Sequence, residues 1–185
     1  LSYLLNTDTQ NNYTFFYSGM KKNVETFLNI INSRPAHVHL PNKLLNLSLG
    51  LLNFPILNSF IPKNTDLFIS LNPGFGSVHG DLKTIEVIHD CTPLIYPEFF
   101  SLKMKLAHKM FRIKQKLKNA HVVIVPRKSV AEDIEYFLPQ IKNKIKVIYP
   151  GLDPEFFSIS TEQAKSEIKT KYNLPQKYML FLGTI

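Results

Sequence analysis

The chain has 185 residues, 44% of them apolar and 19% charged, which excludes a disordered tail and leaves enough apolar side chains for a sizeable core. Its formal net charge of +8 points to an anionic partner (phosphates, nucleic acid or a membrane surface), or else to lysine serving only as the solubilising residue. No run of about 18 uncharged apolar residues occurs, which argues against a membrane-spanning helix, and the single Cys91 excludes an internal disulfide and suits a reducing compartment.

Strands and helices alternate in chain order. Residues 1–6 lack the basic flank of a signal peptide and read as the end of a helix, so a preceding strand and loop are expected. Tyr13-Thr-Phe-Phe-Tyr17 predicts a strand ending at Gly19. Val24, Phe27, Leu28 and Ile31 recur at helical spacing and predict a helix over 23–32, ended at Pro35. Short strands follow over 37–40, closed by Pro41, and over 66–71, which leads into the loop Asn72-Pro-Gly74-Phe75-Gly76-Ser77. The next strand covers 83–89. A long helix is predicted over 99–117, with Leu102, Leu106, Met110, Ile113 and Leu117 within an arc of about 80°. The uninterrupted apolar run at 121–125 predicts a strand buried on both faces. Ser129…Glu132 has capping-box spacing and opens a helix through Phe137, and a strand over 144–149 stops at Pro150-Gly151. A polar helix is expected over 161–171, with Ser160…Gln163 as a second capping box, and then an apolar strand over 178–185. This alternation predicts an α/β fold: a Rossmann-like parallel sheet with helices on both faces.

The stretch with the most chemistry is Lys83-Thr-Ile-Glu-Val-Ile-His89-Asp90, where a β-branched run ends in a polar pair before a proline-marked turn. That places His89 at the carboxyl end of a buried strand, where open α/β sheets bind ligands. His89 is thus expected to line the largest cleft, at the carboxyl edge of the sheet beside the Asn72–Gly76 loop; the competing reading is a core histidine bonded to a nearby carbonyl. Asp90 reads either as a catalytic partner or as an Asx-turn residue that bonds its own backbone. Asn72, Gly74 and Phe75 read as a ligand-contacting loop at a strand end or as a plain turn. His37 and His39 alternate on a strand, but no third ligand stands at metal spacing, so no metal site is expected. On the helix over 99–117, Lys105, Lys109, Arg112 and Lys116 form one basic stripe, with Met104 and Phe111 opposite the apolar arc. Such a stripe reads as a contact to an anionic membrane surface or as a solvated face.

Val87-Ile-His89-Asp90-Cys-Thr-Pro93-Leu, then a basic helix, then Ala120-His-Val-Val-Ile-Val125 with Ser129 and Asp133-Ile134, then Val147-Ile-Tyr-Pro150-Gly151-Leu-Asp153, then Tyr178-Met-Leu-Phe-Leu-Gly183-Thr184 occur in a familiar order and spacing. Together they resemble the amino-terminal half of a glycosyltransferase of family 4, the retaining enzymes of GT-B architecture. The resemblance implies transfer of a sugar, mannose being the candidate named first, from a nucleotide-sugar donor to a saccharide or lipid-linked acceptor. It implies that His89 and Asp90 lie at the reacting sugar, that Asn72, Gly74 and Phe75 border the acceptor, and that Gly183 and Thr184 lie near the donor phosphates. It implies no cofactor and no metal, and a cytoplasmic location, peripheral at the inner face of the membrane. Residues 1–157 would form the acceptor-side domain, 158–176 a linker with a helix, and 177–185 the first strand of a donor-binding domain expected beyond Ile185. Pro126 and Arg127 stand where relatives commonly carry Ser, and no Gly-rich loop occurs near the start.

Two other classes compete with this expectation, a basic α/β module that binds nucleic acid and a protein-interaction module without catalysis. The aromatics Phe15, Phe16, Tyr17, Phe99 and Phe100 sit in apolar runs rather than among Lys and Arg on one strand, which disfavours nucleic acid as partner.

Overall fold

The computed structural model describes residues 2–20, 33–41, 44–45, 57–72, 78, 80–152 and 161–183, in two compact units, Leu1–Tyr149 and Pro150–Ile185. The helix expected over 23–32 lies outside these residues. The first unit opens with helix α1 (Ser2–Thr7), followed by β1 (Tyr13–Ser18), which pairs in parallel with β2 (Ser33–Val38). β2 begins upstream of the expected 37–40 and runs through Pro35, which pairs with Phe15. In a two-stranded sheet both strands are edges, and there a proline's missing N–H is tolerated.

The larger sheet is built from β3 (Leu67–Ser70), β4 (Lys83–Val87), β5 (Val122–Val125) and β6 (Ile145–Val147), side by side in that order and all parallel. Val, Ile and Thr dominate its two central strands because branching at Cβ stiffens χ1 and packs well on a pleated surface. Parallel neighbours need long crossovers. Helices α2 (Thr92–Ile95), α3 (Leu102–Met110) and α4 (Ile113–Asn119) fill the one between β4 and β5, and α5 (Lys128–Phe137) fills the next. The molecule is thus mixed α/β, with a four-stranded parallel sheet flanked by helices, in keeping with the Rossmann-like expectation. Among the described residues no helix is long and apolar enough to cross a membrane.

The main core lies where Val123 and Val125 meet Leu117 of α4 and Val130 and Ile134 of α5. Val122 and Ile124, on the other side of β5, are only half-buried, so the strand expected to be buried on both faces is fully buried on one. A second cluster gathers Phe16, Phe60 and Phe68 around Leu45 and Leu57.

The helix expected over 99–117 is instead two helices. Ser101 caps α3, its hydroxyl accepting from the Met104 N–H at 3.4 Å. Arg112 then turns left-handed (φ 49°) and α4 starts anew. The break destroys the common arc: Leu117 is fully buried, whereas Leu102 is 84% and Leu106 61% exposed. Lys144 closes α4 by donating from Nζ to the Lys118 and Ala120 carbonyls, both at 2.8 Å, which satisfies two orphan acceptors at a helix end. The Ser129 capping box does not form. Helix α5 begins at Lys128 with Arg127 in the extended cap position, so Ser129 already lies inside the helix.

In the second unit, α6 (Glu162–Lys171) is capped by Thr161 rather than through Ser160, which lies outside the described residues; the Thr161 hydroxyl accepts from the Ala164 N–H at 3.2 Å. Asn173 (φ 48°) ends the helix. The Asn173 and Leu174 N–H groups reach back to the Thr170 and Lys169 carbonyls at 3.2 and 2.9 Å, a Schellman closure. Tyr178–Leu182, expected to be a strand, belongs to none, and these five side chains are exposed.

Candidate functional site

Strand β4 sets the site. Ile88 continues its ladder, its N–H donating to the Ile124 carbonyl at 2.9 Å, and its side chain is buried. The next two residues leave the sheet at its carboxyl edge and are exposed. His89 Nε2 lies 3.2 Å from the Leu71 carbonyl at the end of the neighbouring strand. A carbonyl only accepts, so in that contact Nε2 carries the proton and donates. In the neutral ring Nδ1 is then a free lone pair, able to accept from a ligand hydroxyl. Asp90 Oδ1 accepts from the Thr92 N–H at 2.9 Å, the Asx turn that the sequence offered as the alternative to catalysis. That bond shapes the turn into α2.

His89, Asp90 and Asn72 border one cavity of about 320 Å³, at the lower end of the range typical of small-molecule sites. Its floor is apolar, from Ile88, Pro93, Leu94 and Leu117. His108 of α3 also lines it and was not singled out from the sequence. The His108 ring is held edge-on between Phe100 and Phe111, with centroids at 5.2 and 6.3 Å, and its buried Nδ1 has no hydrogen-bond partner among the described residues. A polar atom left so can bind a ligand group without losing an internal bond. Cys91 lines the cavity too, but burial, with the Asp133 and Asp90 carboxylates nearby, pushes its thiol up to about 12. It stays a thiol and serves as core rather than nucleophile.

Beneath this edge lies a buried polar cluster. Glu86 of β4, opposite Ser70 of β3 and Val123 of β5, is 6% exposed. Desolvation raises its pKa, and a hydrogen bond from Ser70 and the charge of Lys116 partly counter that. Lys116, expected on an exposed stripe, is 9% exposed; desolvation lowers its pKa to about 8 despite the attraction of Glu86. The stripe is therefore not one surface. Lys105, Lys109 and Arg112 are exposed, while Lys116 lies on the core side of α4.

Gly74 and Phe75 lie outside the described residues, as does Thr184. Gly183 is exposed, and a Cβ there would stand 3.0 Å from the Phe181 ring. Among the described residues no group of three or more His, Cys, Asp or Glu could hold a metal ion. The fold and this edge define an α/β protein with a mainly apolar cavity, edged by His89, Asp90 and Asn72, at the carboxyl end of a parallel sheet. No protein-family model and no curated protein matches the chain.

Proposed function

We propose that the His89 cavity receives a sugar and that the chain supplies the acceptor-side wall of a retaining glycosyltransferase of family 4 and GT-B architecture. The observation that carries this reading is His89 itself: its Nε2 proton is committed to Leu71, and Nδ1 remains for a ligand at the carboxyl end of a central parallel strand. A mainly apolar pocket of this size with a few polar groups in its wall suits one sugar ring, whose C–H faces pack on Leu94 and Pro93 while its hydroxyls meet His89, His108 and Asn72.

In the proposed reaction the bond from the anomeric carbon to the diphosphate oxygen breaks, and a bond to the acceptor hydroxyl oxygen forms on the same face. The acceptor proton leaves with the nucleoside diphosphate. Gly183 and Thr184, on the pattern of the resemblance, belong beside the donor phosphates, and fixed hydrogen-bond donors take the place of a metal at the leaving group. Mannose is the first sugar to test, with saccharide or lipid-linked acceptors. Nucleotide-sugar chemistry and the single cysteine favour a cytoplasmic setting at the inner membrane face. Asp90 acts by holding the turn that presents His89.

In a protein that carries both walls of the cleft, His89→Ala is expected to lower turnover about 10²-fold or more, the scale of a lost positioned acid–base or hydrogen-bonding group, with an unchanged circular dichroism spectrum. Near-normal turnover of that variant across matched acceptors sinks the role of His89. Loss of activity in chelator sinks the metal-free chemistry.

A further inference from the structure

Helix α3 carries on its outer side what a core helix carries inside. Leu102 and Leu106 stand one turn apart on α3 and are 84% and 61% exposed, and Phe99, at the end of a short 3-10 turn that precedes the Ser101 cap, is 76% exposed. At about 100° per residue, Lys105 and Lys109 fall on one flank of the Leu102–Leu106 line and Lys103 on the other, and all three are exposed. Residues 101–119 contain no Asp or Glu. An apolar ridge with cations on both flanks is the pattern of a helix lying in a membrane interface, where the ridge enters the acyl boundary and the cations stay among the headgroups. A second copy of the chain fits this face poorly, because lysines would meet lysines. A nucleic acid would leave the leucines without a partner.

We infer that α3 docks on an anionic lipid surface, with Leu102, Leu106 and Phe99 immersed at the headgroup boundary and Lys103, Lys105 and Lys109 beside lipid phosphates and carboxylates. His108, on the same helix, faces the His89 cavity. Docking would therefore hold the cavity beside the bilayer. The inference goes beyond the sugar-transfer reading and does not depend on it, since vesicle binding needs no donor sugar.

The test is sedimentation of the 185-residue chain with phosphatidylcholine vesicles, with and without phosphatidylserine. Binding is expected only to the phosphatidylserine vesicles and should fall as salt rises. Each of Lys105→Gln and Lys109→Gln should weaken it about five-fold. Leu102→Ser combined with Leu106→Ser should abolish it without altering the circular dichroism spectrum, because both side chains are exposed. Three results overturn the inference: no binding to anionic vesicles, binding by the leucine pair variant equal to the parent, or binding insensitive to the lysine changes. Self-association in sedimentation equilibrium that the leucine pair variant removes, with no vesicle binding, assigns the face to a second copy and also overturns it.

Discussion

Helices α3 and α4 both draw on leucine and lysine, with no carboxylate, and meet opposite fates. In α4, Leu117 is fully buried and even Lys116 is 9% exposed; in α3, Leu102 and Leu106 are exposed and the lysines beside them face solvent. One left-handed residue, Arg112, separates the two. Apolar periodicity reports that a helix has a face to cover. It does not report what covers it. For α4 the cover is the sheet, and for α3 we infer a lipid surface.

The contrast can be broken most directly in stability. Leu117→Ala should destabilise the fold by about 2–5 kcal/mol, as truncation in a closed core does. Leu102→Ala should stay within about 0.5 kcal/mol of the parent in the same urea titrations. Equal losses would show that α3 and α4 are covered alike.

The buried lysine sharpens the same contrast through pH. With Lys116 held at about 8 against an ordinary 10.5, the folded state binds that proton less tightly than the unfolded one. The penalty is complete below pH 8 and is relieved as pH rises from about 8 to 10.5. Stability relative to Lys116→Met should therefore rise across that window, by on the order of 2–3 kcal/mol. Measuring the difference matters because Cys91, raised to about 12, works in the opposite sense. Its folded state holds the proton more tightly, so that contribution is present below pH 9 and is lost as pH rises towards 12. No rise with pH relative to Lys116→Met would place Lys116 in solvent, with Lys105 and Lys109.

The smallest effect concerns the hinge between the helices. Arg112→Gly removes the steric cost of a left-handed L-residue and should stabilise by up to about 1 kcal/mol, less what glycine loses in chain entropy. Arg112→Val should destabilise by about 1–2 kcal/mol. If Val were tolerated as well as Gly, the helix would run straight through, as the periodicity alone suggests.

His89 was legible because a β-branched strand ending in a polar pair marks a sheet edge whatever lies around it. His108 was not. In sequence it is one more residue of a basic helix, and its place in the cavity depends on Phe100, Phe111 and the break at Arg112. Lys116 misled for a related reason. Charge predicts solvent exposure residue by residue, yet Lys116 shares a buried site with Glu86, thirty positions away in the chain. The Ser129 capping box failed at a finer scale, since Ser129 has the right spacing while the helix start is set by the extended Arg127 before it.

The sequence by itself determined the alternation of elements, the parallel α/β class and the position of His89–Asp90 at a strand end. These follow from backbone preference and hydrophobic period, which act over a few residues. Only the tertiary structure decided that Asp90 makes a turn, that Lys116 is buried beside Glu86 and that the leucines of α3 face outward. Burial and pairing depend on which distant segments arrive at the same place, and on the work of removing charge from water once they do.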